Sequence, residues 1–556
     1  MFRHLHWYVY AGLVWFGAQP RGIAAQPAGH PDGINVIPRP VSVVAGTGHF
    51  TLTSRTTIWT DRASREIGRQ LARYLEPATG IELPVRVGSS SSGSRIVIRR
   101  DPSLAKRLGP EGYRLVVSPG RASITAAAPA GAFYAVQTIR QLLPAPILRQ
   151  AVVAGVAWTM PAVTVEDYPR FVWRGAHLDV SRHFMPKEFV KKYIELLALH
   201  KMNTFHWHLT DDQGWRIEIG KYPRLTAIGA RRTQTLIGRP QRDSTLNVFD
   251  KKPHAGFYTQ DDIREVVAFA RARFVNVVPE IEMPGHSQAA IAAYASLRNF
   301  GDTVPVWTSW GVSPHILNPS DTTIAFMQNV LTEVMSLFPG KFVHVGGDEA
   351  VKPEWKASPR AQQRIRDLGL KDENELQSWF IRQMDTFLTR RGRRLVGWDE
   401  ILEGGLAPNA IVMSWRGVEG GIAAARAGHD VVMAPSSHTY FDHYQSADRD
   451  REPLAIGGFL PIDTVYAYEP IPPSLEAQFA RHVLGAQAQV WTEYIEGPKN
   501  VEYMAYPRLC ALAEVVWTPR DRKDFASFKQ RLATHLSRLD ALDVAYRHMA
   551  DSLHAR

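Results

Sequence analysis

From Tyr168 onward the chain repeats one pattern: a short, largely apolar run, a polar or aromatic residue at its end, then a long amphipathic stretch. The runs fall at His177–Val180, Thr204–Leu209, Val275–Ile281, Phe342–Val345, Leu395–Trp398, Ile411–Trp415, Val431–Ala434 and Ala486–Trp491. Runs this short and apolar suit strands buried on both faces, and the stretches between them supply the helical crossovers that parallel strands need. Eight strand–helix pairs are the number at which such a sheet closes. The expected fold is therefore α/β, a (β/α)8 barrel over residues 168–520. Local signals agree. Pro186 suits a first helical position ahead of the stripe Phe189, Val190, Tyr193, Ile194 and Leu197. Thr259 and Asp262 form a capping-box-like start for a helix through Arg273.

The region before the barrel, 26–167, has another rhythm. Arg95–Arg99 and Tyr113–Val117 alternate like half-buried strands, Ser118-Pro119-Gly120 is a turn, and Arg121–Ala126 returns as a partner. Ala132–Leu142 reads as a helix. This predicts an N-terminal α+β domain without catalytic residues; its Ser/Gly-rich loop, Gly88–Ser94, is too short to link domains. Residues 521–556 are expected to form a short helical tail, from about Asp524 to Leu553.

Residues 1–25 read as an export signal: Arg3, the short apolar run Trp7–Phe16, and small residues at Ile23-Ala24-Ala25, with Ala18 as a second cut. The apolar run is too short to span a membrane, and no later segment qualifies. The only cysteine, Cys510, lies in the apolar stretch Leu509–Leu512, so it is expected to be a buried thiol, and no intramolecular disulfide can form. Export without cysteine pairs points to a bacterial periplasmic or secreted protein. The net charge of +11 is scattered along the chain and accompanies no nucleic-acid motif. A diffusely basic surface, not a nucleic-acid partner, is the expectation.

Active residues of a barrel sit where strands end and loops begin. The successive ends here carry Asp179 with Ser181-Arg182-His183; His206, His208, Asp211 and Asp212; Glu280, Glu282 and His286; Asp348-Glu349; Trp398-Asp399-Glu400; Trp415; Tyr440 and Asp442; and Trp491 with Glu493. Such a rim makes a pocket of tryptophan and carboxylate. Aromatic faces suit the apolar faces of sugar rings, and carboxylates and arginine suit their hydroxyls. Asp348-Glu349 is the sharpest pair. Glycosidic cleavage needs a protonated carboxyl at the leaving oxygen and a group that stabilises the anomeric centre. Two adjacent residues do not easily bracket both faces of a sugar, which favours attack by the substrate's own 2-acetamido oxygen, a known exception to the two-carboxylate arrangement.

The segments Asp179-Val180-Ser181-Arg182-His183, His206 through Trp215, Glu280 to His286, His344-Val345-Gly346-Gly347-Asp348-Glu349, Gly397-Trp398-Asp399-Glu400 and Val490-Trp491-Thr492-Glu493 resemble those of family 20 glycoside hydrolases. The likeness runs from about Ile37 to Trp517 and takes in the N-terminal module. It implies an exo-β-N-acetylhexosaminidase acting on glycans or chitooligosaccharides without metal or cofactor. It implies Glu349 as general acid and then base, and Asp348 as the residue that orients the acetamido group. Tyr440 would bond the acetamido oxygen. Arg182 and Glu493 would hold hydroxyls with Asp442 close by, and Trp398 and Trp491 would wall the pocket. Asp211 and His286 would form a buried chain to Glu349. Trp379 matches a pocket tryptophan of the family, yet it also lies on a helical stripe with Leu376 and Phe380. The rival readings are a zinc amidohydrolase using His206, His208 and His344, a non-catalytic sugar-binding barrel, and a lacto-N-biosidase-like or chitobiose-preferring family member. The long loops Arg231–Gly256 and Arg298–His315 close the pocket or shape its aglycone side in such readings.

Overall fold

The computed structural model describes residues 34–89 and 93–548. The expected signal at 1–25 lies outside them. The barrel is closed, with its strands in sequence order. They are β1 (Trp173–Asp179), β2 (Thr204–His208), β3 (Asn276–Glu280), β4 (Phe342–His344), β5 (Arg394–Trp398), β6 (Ile411–Ser414), β7 (Val431–Met433) and β8 (Val483–Ala488). All pairs are parallel, and β8 closes on β1 with Ala486 opposite Arg174. Nearly every strand residue is buried, as expected for strands that face side chains within the barrel and helices outside it. Trp173, Val278, Val396, Ile411, Met413 and Val432 fill the interior.

The helices follow the stripes. Phe189, Val190, Tyr193, Ile194 and Leu197 are the buried face of Lys187–Leu199. Pro186 stands one position earlier than expected, as an extended N-cap with ψ 147°. The Thr259–Asp262 capping box is made on both sides, and its helix ends at Arg271. The tail helix, Phe525–Ala541, is shorter than expected. Asp543 turns left-handed (φ 52°), and Arg547 is drawn to Glu452 at 2.6 Å.

Before the barrel, seven strands form one mixed sheet. Its central hairpin, Tyr113–Ser118 with Arg121–Ala126, alternates buried and open residues as its sequence does. Helix Pro129–Leu142 packs on this sheet and meets the barrel: the Gln141 amide donates to Leu199 O at 3.2 Å. Buried Asp167 ties the two regions, accepting from Lys201 Nζ at 2.7 Å, Tyr113 OH at 2.8 Å and Trp517 Nε1 at 2.8 Å. Among the described residues no helix is long and apolar enough to cross a membrane. Cys510 is fully buried, and burial pushes its thiol pKa well up.

Candidate active site

β4 ends at His344, and the chain leaves the barrel through Gly346-Gly347 before reaching Asp348-Glu349. Both glycines are left-handed, at φ 66° and 89°. A methyl group on Gly346 would fall on the Glu282 carboxylate, and one on Gly347 would press on Ile401. Only glycine permits so close a turn. Glu349 follows at φ 44°, a costly backbone for a residue with a Cβ. Asp348 is buried, while the Glu349 side chain is 39% exposed.

His286, after β3, is also left-handed, at φ 47°. Its Nε2 lies 3.3 Å from Glu349 Oε2 and 3.6 Å from Asp348 Oδ2. Its Nδ1 lies 3.1 Å from Asp211 Oδ1 and 3.3 Å from Asp212 Oδ2. Burial opposes charge on this ring, but Asp211 and Asp348 outweigh it and lift the pKa well above the ordinary histidine value. These charges favour the imidazolium form of His286. Its hydrogen bond holds Glu349 below the usual glutamate pKa, against the effect of burial. Asp348 goes the other way: burial, with the charges of Glu280 and Glu349, overcomes His286 and pushes it to about 6. Two acids on one loop thus titrate apart.

Beneath this loop sits Glu280, fully buried between Trp398 and three histidines. Trp398 Nε1 donates to its Oε1 at 2.8 Å. His344 Nδ1 lies 2.8 Å from Oε1, and His206 Nε2 and His208 Nδ1 lie 3.1 Å and 2.5 Å from Oε2. His208 reaches Asp211 Oδ2 at 2.9 Å with its other nitrogen. Burial works against its charge, but the two carboxylates raise its pKa to about 10. Two overlapping triads, His177 with His208 and Glu280, and His206 with Glu280 and His344, place their ligand atoms close enough for a metal ion. Their chemistry suits hydrogen bonding better. His206 Nδ1 accepts from Gln487 Nε2 at 2.9 Å, so its Nε2 carries the ring proton, 3.1 Å from Glu280 Oε2. His208 is protonated on both nitrogens, and an imidazolium offers no lone pair. Replacing Glu280 with Gln leaves His208 as a buried cation short of a counter-charge. Glu280→Gln is expected to lose about 3–5 kcal/mol of stability, read from urea unfolding; a loss within error would deny the network its structural role.

Most of the expected pocket residues come together at the rim. Arg182 Nη2 pairs with Asp211 Oδ2 at 2.8 Å and Nη1 with Asp179 Oδ2 at 3.3 Å; its guanidinium lies 5.1 Å from the centre of the Trp491 ring. Trp398, Tyr440 and Trp491 join one cluster, with Trp491 5.8 Å from Trp398 and 6.4 Å from Tyr440. Both carboxylate oxygens of Asp442, Oε2 of Glu493 and Oδ1 of Asp348 are buried and make no hydrogen bond among the described residues. Burial raises the pKa of Asp442 and Glu493. Unsatisfied buried acceptors at one rim are what a polyhydroxylated ligand would satisfy. Trp379 stands apart from that aromatic cluster. Its half-buried ring packs against Trp355, Ile365 and Leu376 under the Arg364 guanidinium, 5.2 Å away. Two residues earlier, Gln377 Nε2 donates to Gly347 O at 2.7 Å, so this helix braces the acid loop.

Sequence reading gave no role to the pairing of Glu400 with Trp415. Trp415 Nε1 donates to Glu400 Oε2 at 2.9 Å, and its ring lies near-parallel to Tyr440, with centroids 6.1 Å apart. Burial and Asp348 raise Glu400 to about 8 despite that bond. Both residues end a strand, which was the available signal, but their contact crosses two loops.

Two family models match the chain: glycosyl hydrolase family 20, catalytic domain, over residues 171–520, and domain 2 of the same family over 33–168. A beta-hexosaminidase of Porphyromonas gingivalis is 46% identical over 517 residues, 92% of this chain and 64% of that protein. The chain thus spans just under two thirds of that relative. A beta-N-acetylhexosaminidase of Cellulomonas fimi is 33% identical across 90% of this chain and 93% of its own length. The GH20 beta-N-acetylhexosaminidase structure from Streptomyces coelicolor superposes with a TM-score of 0.80 at 34% identity, covering 94% of this chain and 99% of that one. With the barrel matched over residues 171–520 and the companion domain over 33–168, the chain belongs to glycosyl hydrolase family 20.

Proposed function

We propose that the chain is an exo-acting β-N-acetylhexosaminidase, releasing terminal β-linked GlcNAc or GalNAc with retention by substrate assistance. One observation carries this reading: the acid pair at His286 Nε2, Asp348 and Glu349, stands side by side on a single loop, so the two do not bracket opposite faces of a sugar as an acid and an enzyme nucleophile would. In this scheme Glu349 gives its proton to the leaving oxygen as the C1–O bond breaks. The 2-acetamido oxygen attacks C1 and forms a cyclic oxazolinium. Asp348, as carboxylate, accepts the amide N–H and stabilises the positive charge that develops there. Glu349 then takes a proton from the water that reopens the ring at C1. Tyr440 bonds the acetamido oxygen, and Trp398 and Trp491 wall the sugar. Arg182, Glu493 and Asp442 hold its hydroxyls, and Asp211 and His286 steer Glu349. Chitooligosaccharides and other hexosamine-capped glycans are the substrates this pocket suits. The residues before 26 support an exported, periplasmic or secreted enzyme.

A panel of nitrophenyl β-glycosides tests the reading. The N-acetylglucosaminide and N-acetylgalactosaminide are expected to turn over, and the glucoside, which lacks the internal nucleophile, is not. Equal rates on glucoside and N-acetylglucosaminide would defeat substrate assistance.

A further inference from the structure

We propose that Arg239 is a specificity-determining residue: it closes the pocket behind the non-reducing end of the sugar and restricts the enzyme to single terminal residues. The inference rests on the reading of the pocket above. In a closed eight-stranded barrel β4 and β8 lie opposite each other. The acid loop follows β4, so the scissile bond belongs on that side. The far end of the sugar then points to the ends of β7, β8 and β1, which carry Asp442, Glu493 and Arg182.

Beside those three residues runs a series of ring contacts that ends at the exposed Arg239. His183, next to Arg182, has its ring 5.5 Å from Trp310. Trp310 lies 6.4 Å from Tyr494, next to Glu493. The Arg239 guanidinium lies 5.5 Å from the centre of the Tyr494 ring. It donates to Ala455 O at 2.5 Å and to Ile456 O. Those carbonyls belong to the segment that follows Asp442 and folds back on it, with Leu460 N donating to Tyr444 O at 2.8 Å. One side chain from the loop after β2 thus ties down the loop after β7, across the end of β8. A planar fork with two donors aimed at adjacent carbonyls is a task for arginine; a lysine ammonium lacks that fork. A sugar extended at its non-reducing end would have to pass through this tie.

The test uses the full chain and its Arg239→Met, Arg239→Ala and Arg239→Lys variants. Methionine keeps an apolar stem over Tyr494 and gives up both carbonyl bonds. The probes are nitrophenyl β-GlcNAc and the nitrophenyl β-glycosides of galactosyl-β1,3-GlcNAc and galactosyl-β1,4-GlcNAc. A hexosaminidase cannot trim the galactose cap, so nitrophenol from either capped probe reports release of an intact disaccharide, confirmed by mass. In Arg239→Met and Arg239→Ala the ratio of kcat/KM on a capped probe to that on the monosaccharide is expected to rise about tenfold or more, the size of a steric pocket effect. Arg239→Lys should fall between. No rise in the ratio in either deletion variant overturns the proposal, whether monosaccharide turnover is kept or falls in parallel; the second result would make Arg239 a residue that merely holds the fold. Failure of the unaltered protein on nitrophenyl β-GlcNAc is a different outcome and strikes the hexosaminidase reading itself.

Discussion

Glu349→Gln should retain the shape of the pocket and lose about 10²- to 10⁴-fold in kcat on substrates with poor leaving groups, the usual worth of a positioned general acid. Activated aryl glycosides, which need little protonation, should suffer much less. The pH profile is a sharper check. His286 holds Glu349 low, while burial holds Asp348 at about 6. Two such neighbours titrate as a pair, and the productive form carries one proton between them. Below the lower step both acids are protonated, and Asp348 cannot accept the amide. Above about 6 the pair has lost its last proton, and nothing can be donated. kcat/KM should therefore be bell-shaped and decline above about pH 6. kcat should decline at higher pH, because a bound sugar strips water from the 39%-exposed Glu349 side chain and raises its pKa. The alkaline limb should vanish in Glu349→Gln. Its survival there, or a small loss that is uniform across leaving groups, would move the acid to another residue, with Glu493 the next to examine.

Asp348→Asn should cut kcat by orders of magnitude and change KM far less. The carboxylate meets positive charge that exists only as the oxazolinium forms, and interactions confined to the transition state appear in turnover. Asp348→Ala should in addition leave the acetamido group poorly oriented. A thiazoline mimic of the cyclic intermediate should inhibit the native enzyme competitively and bind Asp348→Ala much more weakly. The competing picture makes Asp348 a nucleophile. It predicts a glycosyl adduct on that side chain, trapped with a fluorinated sugar and seen by mass spectrometry. Finding the adduct would replace the mechanism and leave the glycosidase assignment standing.

The barrel was legible because its strands are apolar on both faces and its helices carry clean stripes. At the start of β1 the reading fell short because of a buried charge. β1 begins at Trp173, four residues before the expected His177. Its first turns hold Arg174, which hydropathy assigns to solvent. Arg174 is buried because Glu111, in the preceding domain, pairs with it at 2.7 Å. Gly175 follows because a Cβ there would strike Trp173 and Gln487. Glu111 and Gln487 both lie far outside a local window. The site divides in the same way. Asp348, Glu349, Tyr440 and Trp491 stand at strand ends, which the pattern marks. Arg239, and the Glu400–Trp415 pair, owe their places to contacts between loops far apart in sequence.

Glu349 and His286 face each other, and each holds a backbone conformation that an L-residue adopts at a cost of about 1–2 kcal/mol. Glycine at either position would relieve that cost and erase the chemistry. Breeding this protein for heat resistance alone would therefore reward substitutions at these two positions. Any such selection has to be paired with a turnover screen, or its most robust descendants will be inert.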